Sequence, residues 1–314
     1  MKRVAISVGD VNGISLEILL KAHDEIKKIV KPVYLIDLEV LDSASKMLSL
    51  KFPNDLETFS IKKFCSQNTL DKIESNALIT PSLVSKESGE YSFVSFENGV
   101  DLVCRNMADS ILTLPINKFA WSKAGIEFLG HTEYLSKRFG KKGIMMLGCK
   151  EMFVALFSDH IPLSEVSKSI TFNALVDFLL DFKNSFIFNN ALVLGLNPHA
   201  GDSGILGSED FMINEAINFV NKKLGSEIFI GSISPDIAFS PQNRSKFNVF
   251  IAMYHDQGLI PLKALHFDKS INVTLGLPLL RASVDHGTAF DIAYKNKNPN
   301  LQSYIEAARF LADS

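Results

Sequence analysis

Short apolar runs alternate along the chain with longer segments whose apolar residues recur at helical spacing. That alternation predicts a mostly parallel sheet with helices on its faces. KRVAISVGD reads as a strand ending in Gly and Asp, and ISLEILLKAHDEIKKIV follows as an amphipathic helix. PVYLID, DSILTL, EMFVALFSDH, NNALVLGLNPH and NVFIAMY supply further strands, while TFNALVDFLLDFKNSF, EDFMINEAINFVNKKL and the closing NLQSYIEAARFLAD carry helical periodicity. GSISPDIAF, residues 231–239, reads as a strand end that turns at Ser234 and Pro235 into an extended connection. VDHGTAFDIA places His286 just before a helix. The pattern is thinnest over residues 54–90, and no repeat, low-complexity tract or Pro/Gly/Ser-rich linker marks a boundary. The 314 residues predict two domains or one large α/β domain, and in the first case the chain crosses between them more than once.

Composition narrows the function classes. The apolar runs are strand-sized, well below the ~20 residues of a membrane span, and the N-terminus has no signal-peptide pattern, so a cytoplasmic location without membrane contact is the expectation. Cys65, Cys104 and Cys149 are too few and too scattered for a disulfide framework or a cysteine zinc cluster, and they read as structural thiols of a reducing compartment. With 32 basic and 35 acidic residues the net charge is −3, and no basic stripe offers a footprint for nucleic acid.

Three of the seven histidines share one setting. His160 ends EMFVALFSDH, His199 ends ALVLGLNPH, and His255 ends NVFIAMYH, each presented at or just past the end of an apolar strand. In open α/β sheets ligands bind outside the carboxyl ends of the strands. Three imidazoles along one rim suit a divalent metal with a fourth position open for substrate. The competing interpretation is three ordinary loop or core histidines, and the long intervals between them match no short metal motif. His23 and His266 read as bland surface or helix residues, and His286, beside Asp285, stays open as a site residue.

A second group has the chemistry of an anion site. GHTEYLSKRFG puts His131 and Thr132 at the start of a helix, where free N–H groups and the dipole attract phosphate; Thr132 is either part of that site or simply an N-cap. Lys263, Asn272 and Arg281 recur at regular intervals after His255, and Arg binds phosphate or carboxylate bidentately. GDSGILG after His199 allows close backbone approach but is neither GxGxxG nor a Walker loop, so it names no nucleotide site.

GHTEYL, LNPHAG, YHDQGLIPLK and NVTLGLPLLRASVDHGTAFDIA, in this order, closely resemble the 4-hydroxythreonine-4-phosphate dehydrogenase family of pyridoxal phosphate (vitamin B6) biosynthesis. The resemblance runs from the N-terminal VGD to the last helices and is densest over residues 130–293. It implies an α/β, isocitrate/isopropylmalate dehydrogenase-like fold of two α/β/α subdomains with a cleft between them, and a homodimer with active sites at its interface. It also implies NAD- or NADP-dependent oxidation of 4-phosphooxy-L-threonine to a 3-oxo acid that decarboxylates to 3-amino-2-oxopropyl phosphate. Carried over by position, His160, His199 and His255 hold the metal (zinc, magnesium or cobalt), with ligands from both subunits. His131, Thr132, Lys263, Asn272 and Arg281 bind substrate, and Asp256 and Lys263 stand as catalytic residues: Asp256 as an orienting acceptor for a ligand imidazole or a turn residue, Lys263 as proton donor or phosphate holder.

One segment departs from the family pattern. Where the family opens with a GDPxGIGPE-like stretch, this chain has GDVNGISLE, lacking both prolines and one glycine, which puts the shape of that loop in question. Three alternatives compete with the family reaction: a related dehydrogenase of a phosphorylated threonate-type acid, a metal-dependent hydrolase, and a non-enzymatic metal- or phosphate-binding protein on the same fold.

Overall fold

A computed structural model describes residues 1–314 as an α/β protein. Its strands are β1 (Arg3–Ser7), β2 (Lys31–Leu35), β3 (Ser110–Thr113), β4 (Ile144–Cys149), β5 (Met152–Leu156), β6 (Ala191–Leu194), β7 (Phe229–Ile233), β8 (Val249–Ala252), β9 (Ile271–Leu275) and β10 (Arg281–Val284). The chain divides into two compact units, Met1–Lys141 with Pro278–Ser314, and Lys142–Leu277.

In the first unit the strands lie parallel in the order β2-β1-β3-β10. Val4, Ala5, Ile6, Ile111 and Leu112 are wholly buried, as expected of inner parallel strands covered on both faces. The helix Lys86–Cys104 packs closely because its contact residues are small: a Cβ on Gly89 would lie 2.1 Å from the Ala120 carbonyl oxygen. Its hydroxyls are used as well. Ser92 Oγ accepts the Trp121 indole N–H at 2.8 Å, and Ser95 Oγ donates to Leu35 O at 2.8 Å while accepting from Val8 N at 3.0 Å.

In the second unit the order is β9-β4-β5-β8-β6-β7. β5, β8, β6 and β7 are parallel, whereas β4 runs antiparallel to both β5 and β9. β4 and β5 form a hairpin closed at Cys149 and Met152, and Ile144, the first residue of β4, pairs with Leu275, the last of β9.

Two local expectations change, at Pro235 and after His286. Pro235–Ala238 is a short helix and not an extended connection, since proline at its first position already has the helical φ. His255 begins the helix His255–His266, and Gly258 sits in that helix where a Cβ would come within 2.4 Å of Val154 Cγ1. After His286 the chain makes turns with positive φ at Ala289, Tyr294 and Asn296 in place of a helix. His23 lies in the helix Ser15–Ile29, as the sequence suggests, and is buried there, with Nδ1 2.8 Å from Tyr34 Oη and Nε2 3.2 Å from Asp55.

Asp10, in the loop after β1, is fully buried; its carboxylate accepts from Asn12 N at 2.9 Å and from Ser88 Oγ at 3.4 Å. Burial outweighs these two bonds and raises its pKa from 3.8 to about 6. Between those values the folded state binds more protons than the unfolded one, so this group's contribution falls as pH rises through the window. One proton over one pH unit is worth about 1.4 kcal/mol. Asp10→Asn keeps an acceptor for Asn12 and removes the buried charge. Urea denaturation at about pH 4 and about pH 7 is expected to show the variant gaining on the unaltered protein by about 2–3 kcal/mol at the higher pH; an equal difference at both pH values refutes the assignment.

Candidate functional site

β8 lies between β5 and β6, parallel to both, so the carboxyl ends of these three strands share one edge. His160 follows β5, and its backbone N–H donates to Asp159 Oδ1 at 2.7 Å. His255 follows β8 as the first residue of its helix. The two imidazoles are neighbours, with ring centroids 5.7 Å apart and planes at 41°. His255 Nδ1 is 2.7 Å from Asp256 Oδ1. An ionised carboxylate only accepts, so Nδ1 carries the proton and the Nε2 lone pair is left for another partner.

Gln257 ties the ends of two strands together. Its Oε1 accepts from Met253 N at 2.7 Å beyond β8, and its Nε2 donates to Gly195 O at 2.7 Å beyond β6. His199 then falls in an unusual backbone run, with φ of 52° at His199, 50° at Ala200, 82° at Gly201, 42° at Asp202 and 58° at Ser203. Non-glycine residues held in this left-handed region cost of order 1–3 kcal/mol each and persist only where surroundings fix them. His199 lines a cleft of about 390 Å³ with Leu196, Pro198, Pro235, Asp236, Tyr254 and Gln257. The Ser234 hydroxyl, and more weakly His199, hold the Asp236 carboxyl below its ordinary pKa.

A metal tests this edge on its donors. The paired imidazoles of His160 and His255, one of them oriented by a carboxylate, have the make-up of a divalent-cation site. Within a single chain no group of three or more His, Cys, Asp or Glu is gathered to hold a metal ion, so the chain supplies a pair and a separate third imidazole.

In the first unit, Arg281 opens β10 and is buried, with Nε and Nη2 donating to Thr113 Oγ1 of β3 at 3.1 and 2.9 Å. Burial pushes its guanidinium down to about 9. Arg281 Nη2 also lies 3.1 Å from His131 Nδ1. Guanidinium only donates, so Nδ1 accepts and the neutral ring carries its proton on Nε2. That N–H is buried and has no hydrogen-bond partner in the chain. Burial first, then Arg281 and Lys118, keep the His131 pKa well below 6.5. Phe96 and Trp121 pack against the ring with centroids at 4.5 and 5.5 Å.

His131 begins the helix His131–Phe139, whose N-cap is Gly130 at φ 155° and ψ −176°, a conformation open essentially to glycine. Thr132 is therefore inside the first turn and is not the cap. Of the other expected residues, Lys263 stands two turns along the helix from His255 with its ammonium 5.4 Å from the Phe267 ring, and Asn272 pairs with Leu147 of β4. His286 Nδ1 donates to Gly287 O at 3.1 Å.

The GDVNGISLE loop is pinned by hydrogen bonds at Asp10, Asn12 and Ile14. Asp10 N donates to Pro115 O at 2.8 Å and Ile14 N to Thr288 O at 3.0 Å. Asn12 accepts from Thr80 N at 2.7 Å and donates to Thr80 Oγ1 at 3.1 Å and Leu83 O at 2.8 Å. Gly9, at φ 64°, has no space for a Cβ, which would fall 2.2 Å from Pro115 O. Two contributors escape sequence reasoning: Thr113, which fixes Arg281 from 168 residues away, and the bridging role of Gln257. Neither has a local signal, because each acts through a partner distant in sequence.

The family described as "Pyridoxal phosphate biosynthetic protein PdxA" matches residues 28–311. The chain is 50% identical over 313 residues to the 4-hydroxythreonine-4-phosphate dehydrogenase of Sulfurimonas denitrificans, covering 98% of this chain and 96% of the relative. It is 50% identical over 311 residues to the protein of the same name from Campylobacter fetus, covering 99% and 97%. The crystal structure of 4-hydroxythreonine-4-phosphate dehydrogenase from Klebsiella pneumoniae superposes with a TM-score of 0.80 at 27% identity, covering 99% of this chain and 100% of that one. The chain thus belongs to the family of the pyridoxal phosphate biosynthetic protein PdxA.

Proposed function

We propose that this protein is a 4-hydroxythreonine-4-phosphate dehydrogenase. It oxidises the secondary alcohol of 4-phosphooxy-L-threonine with NAD or NADP, and the resulting 3-oxo acid loses carbon dioxide to give 3-amino-2-oxopropyl phosphate. The observation that carries the reading is the buried pair of Arg281 and neutral His131: a fixed cation beside an N–H donor that lacks a partner. An unmet buried donor costs about 1–3 kcal/mol, which an acceptor oxygen of a bound phosphate recovers. Arg281 supplies charge, Thr113 holds its fork in plane, and the first turn of His131–Phe139, with Thr132, adds backbone donors. Lys263 and Asn272 complete the substrate-binding set.

His160, His199 and His255 hold the divalent metal (zinc, magnesium or cobalt), with the set completed across a homodimer. A bound cation lowers the pKa of an alcohol and serves as electron sink for decarboxylation. Asp256 keeps the proton of His255 on Nδ1, so that Nε2 remains a donor atom for the metal. Lys263 binds the anionic substrate through its ammonium, a compact donor on a flexible stem.

Three measurements test this. With 4-phosphooxy-L-threonine and NAD, NADH absorbance is expected to rise, to vanish after chelation and to return with a divalent metal; undiminished turnover by metal-free protein sinks the metal role. A phosphorylated threonate giving the faster reaction points instead to the related dehydrogenase. Arg281→Lys loses the planar fork and is expected to raise KM for the phosphorylated substrate by about 10-fold or more, equivalent to about 1.4 kcal/mol; an unchanged KM removes Arg281 from phosphate binding. Mixing inactive His160→Ala and His199→Ala proteins is expected to restore part of the activity if these ligands come from opposite subunits, and no recovery indicates that both come from one.

A further inference from the structure

His199 gains its place from backbone that would not hold by itself, and the group that holds it lies on another element. Asp210 is the second residue of the helix Glu209–Leu224 and is only 3% exposed. Its Oδ1 accepts from Leu196 N at 3.0 Å, and its Oδ2 accepts from Asn197 N at 3.1 Å and Asn197 Nδ2 at 3.0 Å. All three donors lie in the two residues that join Gly195, held by Gln257, to Pro198 and His199.

The surroundings leave the carboxylate little freedom. A Cβ on Gly195 would stand 2.3 Å from Asp210 Oδ1, and one on Gly207 would stand 2.4 Å from Asn197 Cγ. Asn197 Nδ2 also donates to Glu209 Oε2 at 2.9 Å, so the asparagine is clamped between consecutive carboxylates at the start of one helix. A buried carboxylate is tolerated only when its oxygens are satisfied, and here the satisfying N–H groups belong to the segment leading into the left-handed run. An ordinary negative φ at His199 would redirect its imidazole.

We infer that Asp210 is the positioning residue of His199, fixing the 195–203 backbone so that this imidazole is presented for metal binding. This inference rests on the metal role proposed above for His199. It assigns Asp210 no contact with metal or substrate; its effect passes through the backbone.

The test is a cobalt(II) titration of the full-length protein, following visible absorption, with Asp210→Asn and His199→Ala beside the unaltered chain and thermal melting of each. Asp210→Asn keeps the side-chain shape but turns one acceptor into a donor facing a backbone N–H. It is expected to bind cobalt about 10- to 100-fold more weakly with an altered absorption band, while still melting cooperatively. His199→Ala is expected to weaken binding as well. If His199→Ala weakens binding and Asp210→Asn binds with unchanged affinity and spectrum, the positioning role is wrong and the metal role stands; a lowered melting temperature with an unchanged cobalt spectrum likewise rules out positioning. If His199→Ala changes nothing, the metal role itself fails and the positioning role falls with it. Should Asp210→Asn not fold, Asn197→Ala decides by the same two readouts, since it removes the side-chain bonds to both carboxylates and leaves the backbone bonds to Asp210.

Discussion

Neighbouring parallel strands must end on the same side of their sheet, and the candidate metal centre depends on that constraint. β5, β8 and β6 are consecutive neighbours with one direction, so three segments separated by long stretches of sequence bring His160, His255 and His199 to a common edge. Strand polarity supplies only coarse placement. Finer placement comes from hydrogen bonds beyond the strand ends: Asp256 on the His255 ring and Gln257 between the ends of β8 and β6.

The first unit solves a different problem, that of keeping a cation in the interior. Arg281 is surrounded by protein, and its donors meet a threonine hydroxyl and a neutral imidazole. The Arg281 contact decides the tautomer of His131 and the direction in which its remaining proton faces, while burial, ahead of Arg281 and Lys118, favours the neutral ring. Aromatic packing from Phe96 and Trp121 then holds the ring in place.

Much of this was legible in the sequence. Period-2 and buried apolar runs located β1, β2, β3, β5, β6 and β8, and helical periodicity located Ser15–Ile29, Phe172–Ser185, Glu209–Leu224 and Gln302–Asp313. β4 escaped because IMMLGC is separated from β5 by only Lys150 and Glu151, without the Asn-Gly or Asp-Gly that advertises a hairpin. The helix Lys86–Cys104 escaped because Gly89, Gly99 and its serines dilute the apolar period, and those residues are present for close packing and for hydrogen bonds to distant strands. Family motifs pointed to the candidate site residues, whereas the atoms that hold them were not legible. Thr113 is an ordinary strand threonine until Arg281 arrives, and the conformation of His199 depends on contacts from elsewhere in the chain.

The pairing of Ile144 with Leu275 joins the two ends of the second unit. Residues 142–277 leave and rejoin the remaining chain through two strands that lie side by side, at the spacing of a sheet, roughly 5 Å. The insertion is a closed parenthesis. Its first and last strands pair with each other, so the two ends of the segment are held together from within the unit, whatever the length of chain between them.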